Sequence, residues 1–166
     1  MVNKTECIVE NLNQKYSIDV EKWQKTAVQI FERLSQKKEI SDKFCLKDLK
    51  FDNIFFDITF TDSAQTHELN RVYRNKDYPA DIITFSLFAD DENAEIIDNQ
   101  ITLGDIVIAL DKIEEMSKNE GKSFDFELKF MIAHGILHLL GFEHDEIEDY
   151  DFVVKHQNDV IKEIEK

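Results

Sequence analysis

The segment SFDFELKFMIAHGILHLLG, from Ser123 to Gly141, constrains the fold of this chain more than any other stretch. Its apolar residues fall on every side of the helix they would form. A helix that is apolar all round has to be buried among other elements. Ser123 is placed to cap its start and Gly141 to end it, since glycine takes the left-handed backbone of a helix C-terminus without strain. Into this helix are set His134 and His138, four residues apart, and His144 follows six residues later. These are three of the chain's five histidines.

The rest of the chain supplies elements to surround such a helix. The apolar run CIVE within residues 1–12 predicts an edge strand. From Asp19 to about Lys38, Val20, Trp23, Ala27, Ile30, Phe31 and Leu34 recur at helical spacing, with Asp19 as N-cap. NIFFDITFTD, Asn53 to Asp62, mixes β-branched and aromatic residues and predicts a strand. Asp62 or Ser63 then caps a short helix through AQTHELNRVYR. Strands are expected over Asp81–Phe88 and Ile101–Leu110, separated by the acidic loop DDENAEIIDN. A helix over Asp111–Glu120 ends at Gly121, and Glu146–Lys166 has the pattern of an amphipathic helix. This order predicts an α+β fold: a single domain over residues 1–166, with one small mixed β-sheet, packed helices and the central buried helix carrying the histidines.

With 42% hydrophobic residues, a core of this size forms without disulfides. Cys7 and Cys45 are far apart and outside any CxxC pattern, as expected of buried, reduced thiols. No apolar run reaches the roughly 18 residues of a membrane span, and the first residues lack the pattern of a signal peptide, so a soluble cytoplasmic protein is expected. The net charge of −15 argues against broad non-specific nucleic-acid binding and leaves room only for a local basic groove.

Residues four apart on a helix share a face, so His134 and His138 present two imidazoles to one point. Gly141 lets the chain reverse, and the turn GFE brings His144 back toward the same point. Three nitrogens with a fourth position open make the layout of a catalytic zinc site, one Zn2+ per chain. Glu143 and Asp145 are the nearest carboxylates for a fourth position. The spacing H-x-x-x-H-x-x-G-x-x-H is that of the metzincin proteases. Their first histidine is followed by the glutamate that acts as base, whereas Gly135 stands here, and no methionine lies beyond Met131. The metal geometry is present without the proteolytic base. Gly135 is read as leaving room beside the metal for a bulky anionic substrate, with close packing of the helix on a neighbouring strand as the rival reading.

HGILHLLGFEHD resembles the H-G-x-L-H-L-x-G-Y-D-H signature of the YbeY family, bacterial metal-dependent endoribonucleases of ribosomal RNA maturation. ELNRVYRNKDYPADIITFS, Glu68 to Ser86, resembles the family's L-N-x-x-Y-R-x-x-D-x-x-T-D-V-L-S-F block, and LGDIVI, Leu103 to Ile108, its L-G-D-I-x-I strand. The blocks stand in family order. Phe142 replaces the usual tyrosine, Glu143 the usual aspartate and Ala80 the usual threonine, while the three histidine positions are intact.

The resemblance implies a zinc-dependent, single-strand-specific endoribonuclease that matures the 3′ end of small-subunit (16S) ribosomal RNA and serves ribosome quality control. Its partners would be single-stranded RNA, ribosomal RNA and the small ribosomal subunit, with no role for DNA or a membrane. The resemblance also makes Arg74 the catalytic arginine. Read locally, Arg74 is only a surface cation at a helix C-terminus, but a guanidinium suits the charge that develops on a phosphodiester. Arg71 is a weaker candidate. Asn70, Asp81 and Asp105 are candidates for holding strand and loop near the metal. Glu143 is a candidate base by proximity alone, and His67 and His156 are expected to face solvent. The alternatives are a metalloprotease-like or other metal hydrolase, and a non-catalytic ribosome assembly factor whose metal holds the fold.

Overall fold

The structure is a computed structural model that describes residues 4–166. The elements run β1 (Lys4–Asn11), α1 (Val20–Ser35), α2 (Lys38–Ser41), β2 (Asn53–Thr61), α3 (Ser63–Arg74), β3 (Ile82–Ser86), β4 (Gln100–Ala109), α4 (Leu110–Glu120), α5 (Phe124–Leu139) and α6 (Ile147–Ile164). The four strands form one mixed sheet in the order β1-β2-β4-β3. β1 and β4 each pair parallel to β2, and β3 runs antiparallel along β4 as the second edge. This is the expected α+β domain. Only the single turn of α2 was without a sequence signal.

Local chemistry sets the boundaries. Asp19 accepts a hydrogen bond from the Lys22 amide, Asp62 from that of Gln65 and Ser123 from that of Phe126, so each of α1, α3 and α5 starts at a side-chain cap. On β2, Ile54, Phe56, Ile58 and Phe60 are buried while Phe55, Asp57 and Thr59 between them are less so, the period-2 signature of a sheet with one covered face. β4 carries Ile101, Leu103, Ile106 and Ile108 to the same core. It keeps both halves inward through a register shift opposite Phe55/Phe56. Gly104 stands at that shift with φ +140°, and a Cβ there would lie 1.9 Å from the Phe85 carbonyl oxygen, so only glycine fits. Each of these fully buried side chains contributes about 1.5–3 kcal/mol relative to an exposed one.

α5 lies at the centre, packed against α1, α4, α6, β3 and β4. That environment is what its all-round apolar surface demands. α6 presents Val153, His156, Gln157, Val160 and Ile161 inward. This corrects the expectation that His156 faces solvent: it is only 2% exposed, with its ring 4.4 Å from that of Phe152. The reason is helical spacing, because three residues after Val153 and four before Val160 lies the same stripe. Cys7 is buried and Cys45 half-buried, both as free thiols. Burial pushes their pKa values up to about 12 and about 11, which leaves them unreactive.

Candidate metal centre

α5 delivers His134 and His138 on one face, and its C-terminus returns His144. Gly141 has φ +94°. The Phe142 amide donates to Leu137 O and the Gly141 amide to His138 O, each at 3.0 Å. This pair of bonds is a Schellman closure, which needs a left-handed residue where Gly141 stands. The reversal leaves the three imidazoles facing one another, with ring centroids 4.5, 5.0 and 4.9 Å apart. One ligand atom from each lies within 4.8 Å of the others, a set able to hold a metal ion.

The protonation states suit that role. Burial, then the neighbouring imidazoles, depress the His138 pKa to about 3, and burial also lowers that of His134. Both rings are neutral at physiological pH, the form that binds metals. The remaining protons are placed by hydrogen bonds. His134 Nδ1 faces Gln157 Oε1 at 3.4 Å. His138 Nδ1 lies 3.7 Å from Glu143 Oε2. The two Nε2 atoms are 2.9 Å apart, so when both rings carry their proton on Nδ1, toward the acceptors, two lone pairs face each other. Two lone pairs at that distance repel unless a cation lies between them. The donor set therefore fits a metal, and its all-nitrogen character fits the zinc class.

The histidines open into a cleft of about 520 Å³ that is also lined by Arg74, Lys76, Thr84, Ser86, Asp90 and Glu143. A larger hollow of about 1070 Å³, bounded by Phe31, Phe44, Phe51 and Asn99, contains none of the histidines, so size does not mark the site. Arg74 ends α3, and its Nη2 donates to the carbonyl of Thr84 on the edge strand β3 at 3.0 Å. That bond carries the guanidinium to the metal side, close enough to contribute to the lowered His138 pKa. Asn70 supports this position. Its buried side chain donates to Tyr78 O at 2.9 Å, and its backbone carbonyl accepts from the Asn75 and Lys76 amides.

Other candidates are placed elsewhere. Arg71 is bound to the Glu68 carboxylate at 2.7 and 3.1 Å, outside the cleft lining. His67 pairs with Asp77 at 2.8 Å. Asp105 is paired in register with Phe85, and the Asp81 carbonyl accepts from the Ala109 amide; neither carboxylate lines the cleft. Burial raises the pKa of both. Glu143 lines the cleft, with Oε2 3.7 Å from His138 Nδ1, beyond hydrogen-bond length. Lys76, Asp90 and Gln157 were missed. Lys76 had a signal in the basic-aromatic run RVYRNKDY.

Gly135 answers a question that its sequence position left open. It is buried, and a Cβ on it would lie 2.9 Å from both Cδ1 and Cγ2 of Ile106. The glycine faces the sheet, not the cleft. The reading in which it leaves room for substrate is overturned, and close packing of α5 on β4 explains it.

Over residues 8–165 the chain matches the family described as Endoribonuclease YbeY. The chain belongs to the YbeY endoribonuclease family. Relatives named Endoribonuclease YbeY include one from Geobacillus sp. (strain WCH70), 41% identical over 63% of this chain and 69% of its own length. Another, from Malacoplasma penetrans, is 34% identical over 81% of this chain and 92% of the relative. The solution structure of a Thermotoga maritima protein shares the fold with a TM-score of 0.53 at 22% identity, over 96% of this chain and 91% of that one. As a member of the YbeY family the protein is an endoribonuclease, a hydrolase acting on RNA. Among the described residues, no helix is long and apolar enough to cross a membrane.

Proposed function

We propose that residues 1–166 form one zinc-dependent endoribonuclease domain. It cleaves single-stranded RNA and acts in the cytoplasm on the small ribosomal subunit, maturing the 3′ end of 16S ribosomal RNA and serving ribosome quality control. The observation that carries this reading is that three converging imidazoles share one cleft with Arg74 and Lys76. An acidic chain with a net charge of −15 meets RNA through that local cationic pair, placed at the reacting centre.

His134, His138 and His144 would hold the ion. A zinc-class ion supplies Lewis acidity toward a phosphate oxygen and makes water more acidic. The chain's own residues do the rest. Arg74, fixed by Thr84 O, offers a planar set of donors to the phosphate oxygens, where charge develops during cleavage. Lys76 adds a second cation that binds the backbone. Glu143 and Asp90 are the carboxylates of the cleft, in place to accept a proton from the attacking nucleophile. Burial, with the nearby Asp90 and Asp145 charges, raises the Glu143 pKa, which brings it closer to that of a useful base.

The test is turnover of single-stranded RNA, duplex RNA and a peptide panel, with and without chelator. Cleavage of single-stranded RNA alone, lost on chelation and restored by zinc, is the expected result. Peptide cleavage, or RNA cleavage indifferent to chelator, would overturn it.

A further inference from the structure

The proton on His134 is set from outside the metal cluster, by α6. Gln157 is fully buried, and its amide is oriented without ambiguity. Its Nε2 donates to the Phe130 carbonyl at 2.9 Å, and a carbonyl can only accept, so that end must be the NH2 group. Its Oε1 is thereby turned to His134 Nδ1 at 3.4 Å, and an amide oxygen can only accept. Phe130 lies one helical turn before His134 on α5, so the amide bridges the backbone and the ring of the same helix face. A buried amide held at one end and aimed with the other at the ligand's rear nitrogen leaves that nitrogen one option, which is to carry the proton.

We infer that Gln157 is a positioning residue that fixes His134 as the Nδ1–H tautomer and keeps its Nε2 lone pair directed at the metal position. The inference rests on the metal reading above for its purpose, and not for its geometry. Outer partners of this kind typically account for 10–100-fold in metal affinity. Here the partner is a neutral amide on the C-terminal helix, so the packing of α6 on α5 becomes part of ligand geometry.

The test uses Gln157→Leu, which removes the acceptor at similar volume, and Gln157→Glu, which keeps it and, as the neutral acid that burial favours, also keeps a donor toward the Phe130 carbonyl. Long-range 1H–15N spectra of the metal-free protein report which ring nitrogen of His134 carries the proton. Wild type and Gln157→Glu should show Nδ1–H, and Gln157→Leu should lose that preference. Zinc affinity by chelator competition should fall about 10–100-fold in Gln157→Leu and largely return in Gln157→Glu. If Gln157→Leu does not fold, Gln157→Asn, which withdraws the amide by one methylene, carries the same two readouts. An Nε2–H tautomer in the wild type would overturn the assignment. So would a Gln157→Leu protein that merely melts earlier while tautomer and zinc affinity stay put. Absence of zinc binding by the wild type would overturn the metal reading, whereas the tautomer measurement decides the role of Gln157 by itself.

Discussion

Gly135 on α5 lies directly against Ile106 on β4, so close that an added Cβ would sit 2.9 Å from two of its side-chain carbons. Ile106 is fully buried and branched at Cβ, so it has little freedom to move aside. Overpacking a core costs about 1–3 kcal/mol, and replacing glycine by alanine within a helix recovers about 1 kcal/mol. Gly135→Ala should therefore lower stability by about 1 kcal/mol in denaturant unfolding, and Ile106→Val should relieve part of that loss in a double-mutant cycle. Gly135→Glu, which buries a carboxylate against the sheet, should not fold. An alanine variant as stable as the wild type would show that the contact relaxes freely.

Arg74 is the group whose loss should separate chemistry from folding. It is exposed, and among the described residues its side chain makes one hydrogen bond, to Thr84 O, so Arg74→Ala should leave the melting temperature and zinc content nearly unchanged. RNA cleavage should fall about 100- to 1000-fold, the usual cost of an oxyanion-type donor. Arg74→Lys should recover only a part, because an ammonium cannot reproduce the planar fork. Wild-type cleavage by Arg74→Ala would make it a surface residue.

The ligand set makes a separate claim. His138 is central to the cluster, its Nε2 2.9 Å from that of His134 and its ring 4.9 Å from that of His144. His138→Ala should remove most bound zinc, measured by elemental analysis after dialysis. Full occupancy in that variant would rule out the three-histidine site.

What could be read from the sequence was whatever is decided locally. The caps at Asp19, Asp62 and Ser123, the Gly141 reversal and the convergence of three histidines follow from spacing within a few residues. The all-round apolar pattern of α5 correctly placed it at the centre. The misreadings share a cause: each concerned what a side chain meets across the fold. Gly135 was read against the metal because its sequence neighbour is a ligand, but the helix turns by about 100° per residue and points it at the sheet. Gln157 and Asp90 reach the site from α6 and from the acidic loop, which no local pattern announces. Arg74 needed the family resemblance, since its place depends on α3 bringing it to the edge of β3.

His156 gives the last expectation, a pH dependence with a defined sign. The ring is 2% exposed, and among the described residues neither nitrogen has a hydrogen-bond partner; Glu39 Oε2 lies 3.0 Å from Nε2 but out of line for a bond. Burial lowers its pKa below the usual 6.5, aided by Lys155 and Lys37 and opposed by Glu39 and Asp159. The unfolded chain thus takes up a proton below pH 6.5 that the folded protein resists. The stability associated with neutral His156 is complete above that pH and declines as pH falls toward the depressed folded value. Wild type should unfold more easily at pH 5 than at pH 7, and His156→Leu, which cannot take up the proton, should show a shallower decline. Comparing both proteins metal-free cancels the contributions of His134 and His138, which are common to the two. Parallel stability curves between pH 5 and 7 would mean that His156 titrates alike in the folded and unfolded chain, and that its burial is open to water.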